Sequence, residues 1–155
     1  MSDAPPTITE ISSHAAAARP ELAELAREPE MPAVLVERSD GLRCAAVLDP
    51  RGPATEPEAR LVRLVHTVAN ADPADDVAPA ITRLLTTAAD RGATRVLIGW
   101  DPLDRPGLRM LEELGFAPTG TMPYFPLGPG QVEYVSGYRD PAGSTLDLVW
   151  RAGTR

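Results

Sequence analysis

The sequence contains no lysine, a single cysteine and few aromatic residues, which make up 5% of its 155 positions. Its 15 basic residues are all arginines and stand against 22 acidic residues, so the formal net charge is −7. An acidic surface repels phosphate groups. The charge balance therefore argues against nucleic acid and against an anionic membrane as partners.

Cysteine and histidine are too scarce for most metal or disulfide chemistry. Cys44 has no second cysteine to pair with, which excludes an intrachain disulfide and a cysteine-based metal cluster. His14 and His66 are far apart in sequence, and no ligand spacing around them indicates a metal site. We therefore expect no bound metal.

Long apolar segments are also missing. No stretch approaches the roughly 20 apolar residues that a membrane-spanning helix needs. The first residues, MSDAPPTITEI, have neither the basic start nor the apolar centre of a signal peptide. These features predict a cytoplasmic protein.

The composition that remains is that of a folded domain. Hydrophobic residues make up 43% of the chain, and its length is typical of one domain with a substantial core. No internal repeat or linker divides the sequence. We expect a flexible N-terminal tail over residues 1–6, followed by a single domain over residues 7–155.

The first half of the sequence alternates short apolar segments with turn residues. Pro20 divides a helix-forming stretch over residues 13–27, and the Asp40-Gly41 pair favours a tight hairpin turn. Strands are predicted over residues 7–11, 33–38, 42–48 and 59–68.

The second half contains the two clearest helices. Apolar residues recur at helical spacing over residues 73–91, where Pro79 interrupts the second turn, and over residues 105–114. The segment between them, residues 94–100, is apolar and β-branched, as is typical of a buried strand. Two or three further strands follow, the last over residues 144–150.

This order of elements resembles that of the GNAT superfamily of acyl-CoA-dependent N-acyltransferases. The most similar stretch is residues 83–116, which ends in Leu114-Gly115-Phe116, and the resemblance covers about residues 7–150. It implies an α/β (α+β) fold with a mixed, mostly antiparallel sheet and helices on both faces. An unrelated α+β domain is the alternative.

The resemblance also makes two predictions about the layout of the fold. Strands near residues 64–68 and 94–100 are expected to splay apart. The helix over residues 73–91 is expected on one face of the sheet, and the helix over residues 105–114 on the other.

The resemblance implies acetyl-CoA or another acyl-CoA as cofactor, with its pyrophosphate at the start of the helix over residues 73–91. The family's loop there has the pattern R/Q-x-x-G-x-G/A, whereas residues 70–76 contain no glycine or arginine and three aspartates. Asp72 before Pro73 reads as an N-cap, and Asp75 falls at the third helical position. The sequence thus predicts a helix that satisfies its own N–H groups and presents negative charge to a pyrophosphate.

Candidate site residues follow from the same resemblance. The strand that would run beside the acyl-pantetheine gives the cofactor-binding candidates His66, Thr67, Val68, Asn70 and Ala71. His66 is also the candidate general base, although a packed strand histidine is the alternative.

A general acid is harder to place. The family's tyrosine corresponds to Leu111, which donates no proton, and Asp104 stands where an asparagine often accompanies it. Tyr124 is the candidate replacement, with a core aromatic as the alternative. Trp100 ends its strand near the expected site and is a candidate pocket residue.

The resulting hypothesis is a GNAT-like N-acyltransferase in which a small amine attacks a CoA thioester directly, with an atypical cofactor site. One alternative is an inactive binding or regulatory module of the same fold, as a homodimer. Another is a GNAT-fold enzyme with CoA-independent chemistry. A pocket lined by His66, Trp100 and Tyr124 favours an enzyme, whereas a filled cleft favours a binding module.

Overall fold

The computed structural model describes residues 5–27, 30–50, 58–68, 71–101, 103–118, 124–128, 131–134 and 146–153. The helices within these ranges are α1 (Ser13–Ala16), α2 (Pro73–Asp90) and α3 (Arg105–Glu113), with a 3₁₀ helix over Pro20–Arg27. The strands are β1 (Thr7–Ser12), β2 (Pro32–Arg38), β3 (Gly41–Asp49), β4 (Glu58–His66), β5 (Arg95–Trp100), β6 (Ala117–Pro118), β7 (Tyr124–Gly128), β8 (Gln131–Tyr134) and β9 (Leu146–Arg151). No helix among these residues is long and apolar enough to cross a membrane.

Seven of the described strands form one sheet, in the order β1-β2-β3-β4-β5-β9-β6. β4 and β5 run parallel, and every other neighbouring pair in this sheet is antiparallel. The predicted mixed, mostly antiparallel sheet is confirmed. β7 and β8 form a separate antiparallel hairpin, in which Tyr124 pairs with Tyr134.

The hairpin between β2 and β3 forms because its turn residues tolerate unusual backbone angles. Ser39 and Asp40 make the turn, and Gly41 follows with a φ of 127°, which residues with side chains rarely adopt. As a result Arg38, at the end of β2, and Arg43, near the start of β3, lie on either side of one tight turn.

The parallel pair β4–β5 separates part of the way along its length. The two strands are paired only from Glu58↔Arg95 to Arg60↔Leu97, after which the register between them ends. β4 stays paired with β3, with one irregularity that leaves Val62 without a partner. The predicted splay between these strands is confirmed.

Each face of the sheet carries its own apolar core because side chains alternate along the strands. On one face, α2 and α3 share a core to which Val77 and Leu84 contribute from α2, and Met110 and Leu111 from α3. The other face is covered by α1 and the 3₁₀ helix, where Leu22 is fully buried.

The prediction that α2 and α3 lie on opposite faces is therefore wrong. The spacing of leucines showed which side of α3 is apolar, but this spacing carries no information about the sheet face that the helix covers. The opposite face was already covered by the N-terminal segment, and α3 packs beside α2 instead.

Candidate functional site

The separation of β4 from β5 opens a cleft of about 720 Å³. The ends of the two strands, the first turn of α2 and one side of α3 form its walls. Its lining residues are Leu64, His66, Ala71, Asp72, Pro73, Ala74, Val77, Trp100, Asp104, Pro106, Arg109, Met110 and Glu113. A second cavity, of about 630 Å³, lies beside β1 and the C-terminal half of α2, and none of the predicted site residues lines it.

The first turn of α2 has its backbone N–H groups engaged within the chain. Pro73 has no N–H, the Asp72 carboxylate accepts a hydrogen bond from the N–H of Ala74 at 3.0 Å, and the N–H of Asp75 donates to the Asp72 carbonyl at 3.0 Å. The prediction that Asp72 caps this helix is confirmed. A phosphate bound at a helix N-terminus needs such N–H groups free. The start of α2 therefore does not fit the pyrophosphate of a coenzyme A thioester.

A buried carboxylate joins the same end of α2 to the β2–β3 hairpin. Asp76 is fully buried and accepts hydrogen bonds from Nε of Arg38 at 2.9 Å and Nε of Arg43 at 3.1 Å. Burial alone raises the pKa of the Asp76 carboxyl, but the hydrogen bonds and charges of the two arginines outweigh it and hold that pKa below its ordinary value. Asp76 is thus a paired anion.

We call Arg38, Arg43 and Asp76 the Asp76 cluster. Pro79 accounts for one further hydrogen bond that Arg38 makes. A proline inside a helix cannot donate to the carbonyl four residues earlier, which here belongs to Asp75. Nη2 of Arg38 donates to that carbonyl at 3.1 Å. The helix continues through Pro79, and the side chain of Arg38 replaces the bond that the proline removes.

His66 lies between the cleft and the Asp76 cluster. Its Nε2 is 3.9 Å from Oδ2 of Asp76, is buried, and has no hydrogen-bond partner among the described residues. About 20% of the side chain is exposed, and the residue lines the cleft.

Cys44 is the cross-strand partner of His66 in the pairing of β3 with β4, and the charge of Asp76 acts on its thiol. The thiol is nevertheless no nucleophile, because burial and the nearby Asp76 charge raise the pKa of Cys44 to about 12. Cys44 is fully buried.

Trp100 is fixed on its wall of the cleft by the start of α3. Its indole Nε1–H donates to Oδ2 of Asp104 at 2.9 Å, while Oδ1 of Asp104 accepts from the N–H of Gly107 at 3.0 Å. A Cβ on Gly107 would lie 2.3 Å from Oδ2 of Asp104 and 2.4 Å from the indole nitrogen. Only glycine fits here, and the Asp104 carboxylate uses both oxygens inside the protein.

The other sequence-predicted site residues are distributed unevenly. Ala71 lines the cleft, whereas Thr67 is hydrogen-bonded to β3 through its N–H and hydroxyl, and Val68 is not among the lining residues. Asn70 and the side chain of Tyr124 lie outside the described part of the chain. Leu111 is fully buried in the core.

Sequence reasoning missed Arg109 and Glu113, which line the cleft from α3, and both arginines of the Asp76 cluster. The i, i+4 spacing of Arg109 and Glu113 put them on one side of the helix, but nothing indicated that this side faces the cleft. In the described ranges, no three histidine, cysteine, aspartate or glutamate side chains converge as a metal site.

Comparisons with known proteins identify the fold. No protein-family model and no curated protein matches the sequence. Among solved structures, the aminoglycoside 6'-acetyltransferase type Ii superposes with a TM-score of 0.64 at 16% identity, covering 96% of this chain and 99% of that one. The ribosomal-protein-S18-alanine N-acetyltransferase of Escherichia coli gives 0.59 at 11% identity, covering 96% of both chains.

A Salmonella typhimurium protein described as an acetyltransferase, and solved with its cofactor acetyl-CoA, gives a TM-score of 0.61 at 16% identity. This match covers 98% of the present chain and 96% of that protein. The chain therefore has the fold of the GNAT N-acetyltransferases, and at these identities the likeness extends to the fold alone.

Proposed function

We propose that the chain is an N-acyltransferase that transfers an acyl group from a thioester to a small amine in the cleft between β4 and β5. The observation that carries the proposal is that this cleft is open, at about 720 Å³, and is lined by His66 and Trp100. Side chains that filled the cleft would have favoured a binding module. The N-acetyltransferases of the same fold support the reaction class.

The charges around the cleft favour a cationic acceptor. Three carboxylates line it, those of Asp72, Asp104 and Glu113, against the single arginine Arg109. A cleft lined by one sign of charge concentrates ligands of the opposite sign. A protonated amine therefore enters more readily than an anionic substrate.

The reaction requires one bond to form and one to break. The amine nitrogen attacks the thioester carbonyl, a C–N bond forms, and the C–S bond breaks as the thiolate leaves. An amine that enters protonated loses two protons on the way to the amide. We assign the first, lost before the attack, to the imidazole of His66, which lines the cleft, and the second passes to the leaving thiolate, which departs as the thiol. The Trp100 indole, held by Asp104, gives the acceptor a rigid wall against which to align.

Matched histidine variants test this assignment. Acylation of a panel of small mono- and diamines by acetyl thioesters would be followed by mass spectrometry. We expect His66→Asn to lower kcat/KM by about a hundredfold or more, the usual contribution of a positioned general base. His14→Asn is the matched control, because the His14 side chain is 47% exposed and lies outside the cleft lining. Absence of turnover by the unaltered protein with every amine and donor would contradict the proposal.

One observation favours a second candidate, a GNAT-fold binding or regulatory module without catalysis. Leu111, at the position where the resemblance places the acid, is fully buried, so α3 supplies no proton donor there. This candidate predicts that amines bind, as measured by calorimetry, and that no donor is consumed. A repurposed enzyme with CoA-independent chemistry would instead transform the amine without any thioester.

A further inference from the structure

The geometry points to a donor class: we infer that the cleft accepts a thioester on an extended pantetheine-type arm and gains nothing from a nucleotide pyrophosphate attached to it. This inference rests on the proposed acyl transfer and specifies its donor. It is carried by two features of the cleft, the closed N-terminus of α2 and the unpaired edge of β4.

The closed terminus leaves a pyrophosphate without N–H donors from the first turn of α2. Pro73 offers no N–H, and the N–H groups of Ala74 and Asp75 are held by the side chain and the carbonyl of Asp72. To bind there, a phosphate would have to displace a carboxylate that is already in place. The Asp72 carboxylate is itself an anion at the N-terminus of α2, so it already makes the favourable interaction with the helix dipole that a phosphate would make.

Negative charge at the same end of α2 also disfavours the binding of a pyrophosphate. Asp72 and Asp75 are exposed, and their carboxylates repel an anionic ligand. Arg38 and Arg43, which reach this end of α2 from the β2–β3 hairpin, are bonded to buried Asp76. Nη1 of Arg43 also lies 3.2 Å from a carboxylate oxygen of Asp40, so the two arginines are matched by two carboxylates within the protein.

Beside this closed terminus, the edge of β4 remains available. β4 pairs with β5 only as far as Arg60, and no described strand pairs with that side of β4 from there to His66. An extended ligand that carries amide groups can pair with such an edge in the way that an added strand does. A pantetheine arm has two amides and ends in the thiol that carries the acyl group, so it suits this edge.

Calorimetric titration with coenzyme A and with pantetheine, which lacks the pyrophosphate and the adenosine 3′-phosphate, tests the inference. We expect the two dissociation constants to agree within about threefold, because the pyrophosphate gains no interaction with the protein. A threefold difference is less than about 1 kcal/mol, since a factor of ten corresponds to about 1.4 kcal/mol. Binding of coenzyme A at least thirtyfold more tightly than pantetheine would overturn the inference, and so would failure of pantetheine to bind.

Two variants at one position separate the hydrogen bonds from the charge. Asp72→Gly frees the N–H of Ala74 and removes a charge, so coenzyme A is expected to bind about tenfold more tightly while pantetheine binding is unchanged. Asp72→Asn removes the charge but keeps the cap, because asparagine caps as well as aspartate, and its gain should be smaller. An unchanged affinity for coenzyme A in Asp72→Gly would show that the cap does not close the site.

Turnover separates this inference from the proposed function. Consumption of acetyl-pantetheine and acetyl-CoA with similar kcat/KM values would support both the acyltransferase and the inferred donor class. Acetyl-CoA consumed at least thirtyfold more efficiently supports the acyltransferase and overturns the donor class. Pantetheine binding without transfer to any amine contradicts the acyltransferase and leaves the donor-arm site standing.

Discussion

Replacing Asp76 by asparagine tests how the β2–β3 hairpin is held on α2. The substitution removes the charge that pairs with Arg38 and Arg43, and it turns the hydrogens of the new NH2 group toward one of these two cations. Each charge-assisted hydrogen bond contributes about 1.5–3 kcal/mol, and losing one partner of a buried pair typically costs about 3–5 kcal/mol. The arginine side chains are 27% and 21% exposed, so water can partly replace the lost partner. We therefore expect a loss of about 2–3 kcal/mol in the free energy of unfolding at pH 7.

The pH dependence of this loss has a definite sign. The pKa of Asp76 in the folded protein lies below its ordinary value, and in the unfolded chain an aspartate titrates near 4, about the value of model peptides. Such a group stabilises the fold above the unfolded pKa, and the stabilisation is lost as the pH falls through the folded pKa. The gap between the unaltered protein and Asp76→Asn should therefore be constant from pH 7 to about 5 and narrow below about 4.

Urea unfolding at several pH values measures this gap, with Asp75→Asn as the matched control. Asp75 occupies the same helical turn but is exposed, so its substitution should change the unfolding free energy by no more than about 0.5 kcal/mol. Equal stability of Asp76→Asn and Asp75→Asn at pH 7 would refute the argument. A stability gap of unchanged size at pH 3 would refute it as well.

Three further substitutions or reactions probe the surrounding structure. Asp72→Ala should lower the unfolding free energy by about 1 kcal/mol in urea titrations, whereas Asp72→Asn should change it little, because only the latter keeps the N-cap; equal losses would contradict the capping bond. Gly107→Ala should lower the unfolding free energy by about 1–3 kcal/mol through overpacking and should shift the tryptophan fluorescence, because its Cβ would press between Asp104 and Trp100. An unchanged spectrum and stability would count against that contact. Cys44 should react with a thiol reagent at pH 8 only on unfolding, because its pKa is about 12 when folded, and fast labelling of the native protein would show otherwise.

Features encoded by neighbouring residues were predictable from the sequence. Asp72 followed by Pro73 identified the start of α2 because an N-cap and a proline at the first position are both local preferences. The turn at Asp40 and Gly41 was predictable for the same reason. The order of such elements then sufficed to predict the fold.

Features that depend on distant residues were not predictable in this way. Asp76 looked like another exposed carboxylate, because nothing near it in sequence shows that the β2–β3 hairpin places Arg38 and Arg43 beside it. Helical periodicity likewise could not place α3 on the same face as α2, since it describes one helix at a time. The cleft depends on where the register between β4 and β5 ends, which is a property of two strands together.

The central claim is that α2 begins with a terminus closed to phosphate beside an open cleft. A ¹H–¹⁵N spectrum recorded during titration with acetyl-CoA tests it most directly, because it reports each backbone N–H and the indole N–H separately. The account predicts saturable shifts at His66 and at the Trp100 indole, while the amides of Ala74 and Asp75 remain unchanged. Large, saturable shifts of the Ala74 and Asp75 amides, lost when pantetheine replaces the coenzyme, would contradict it.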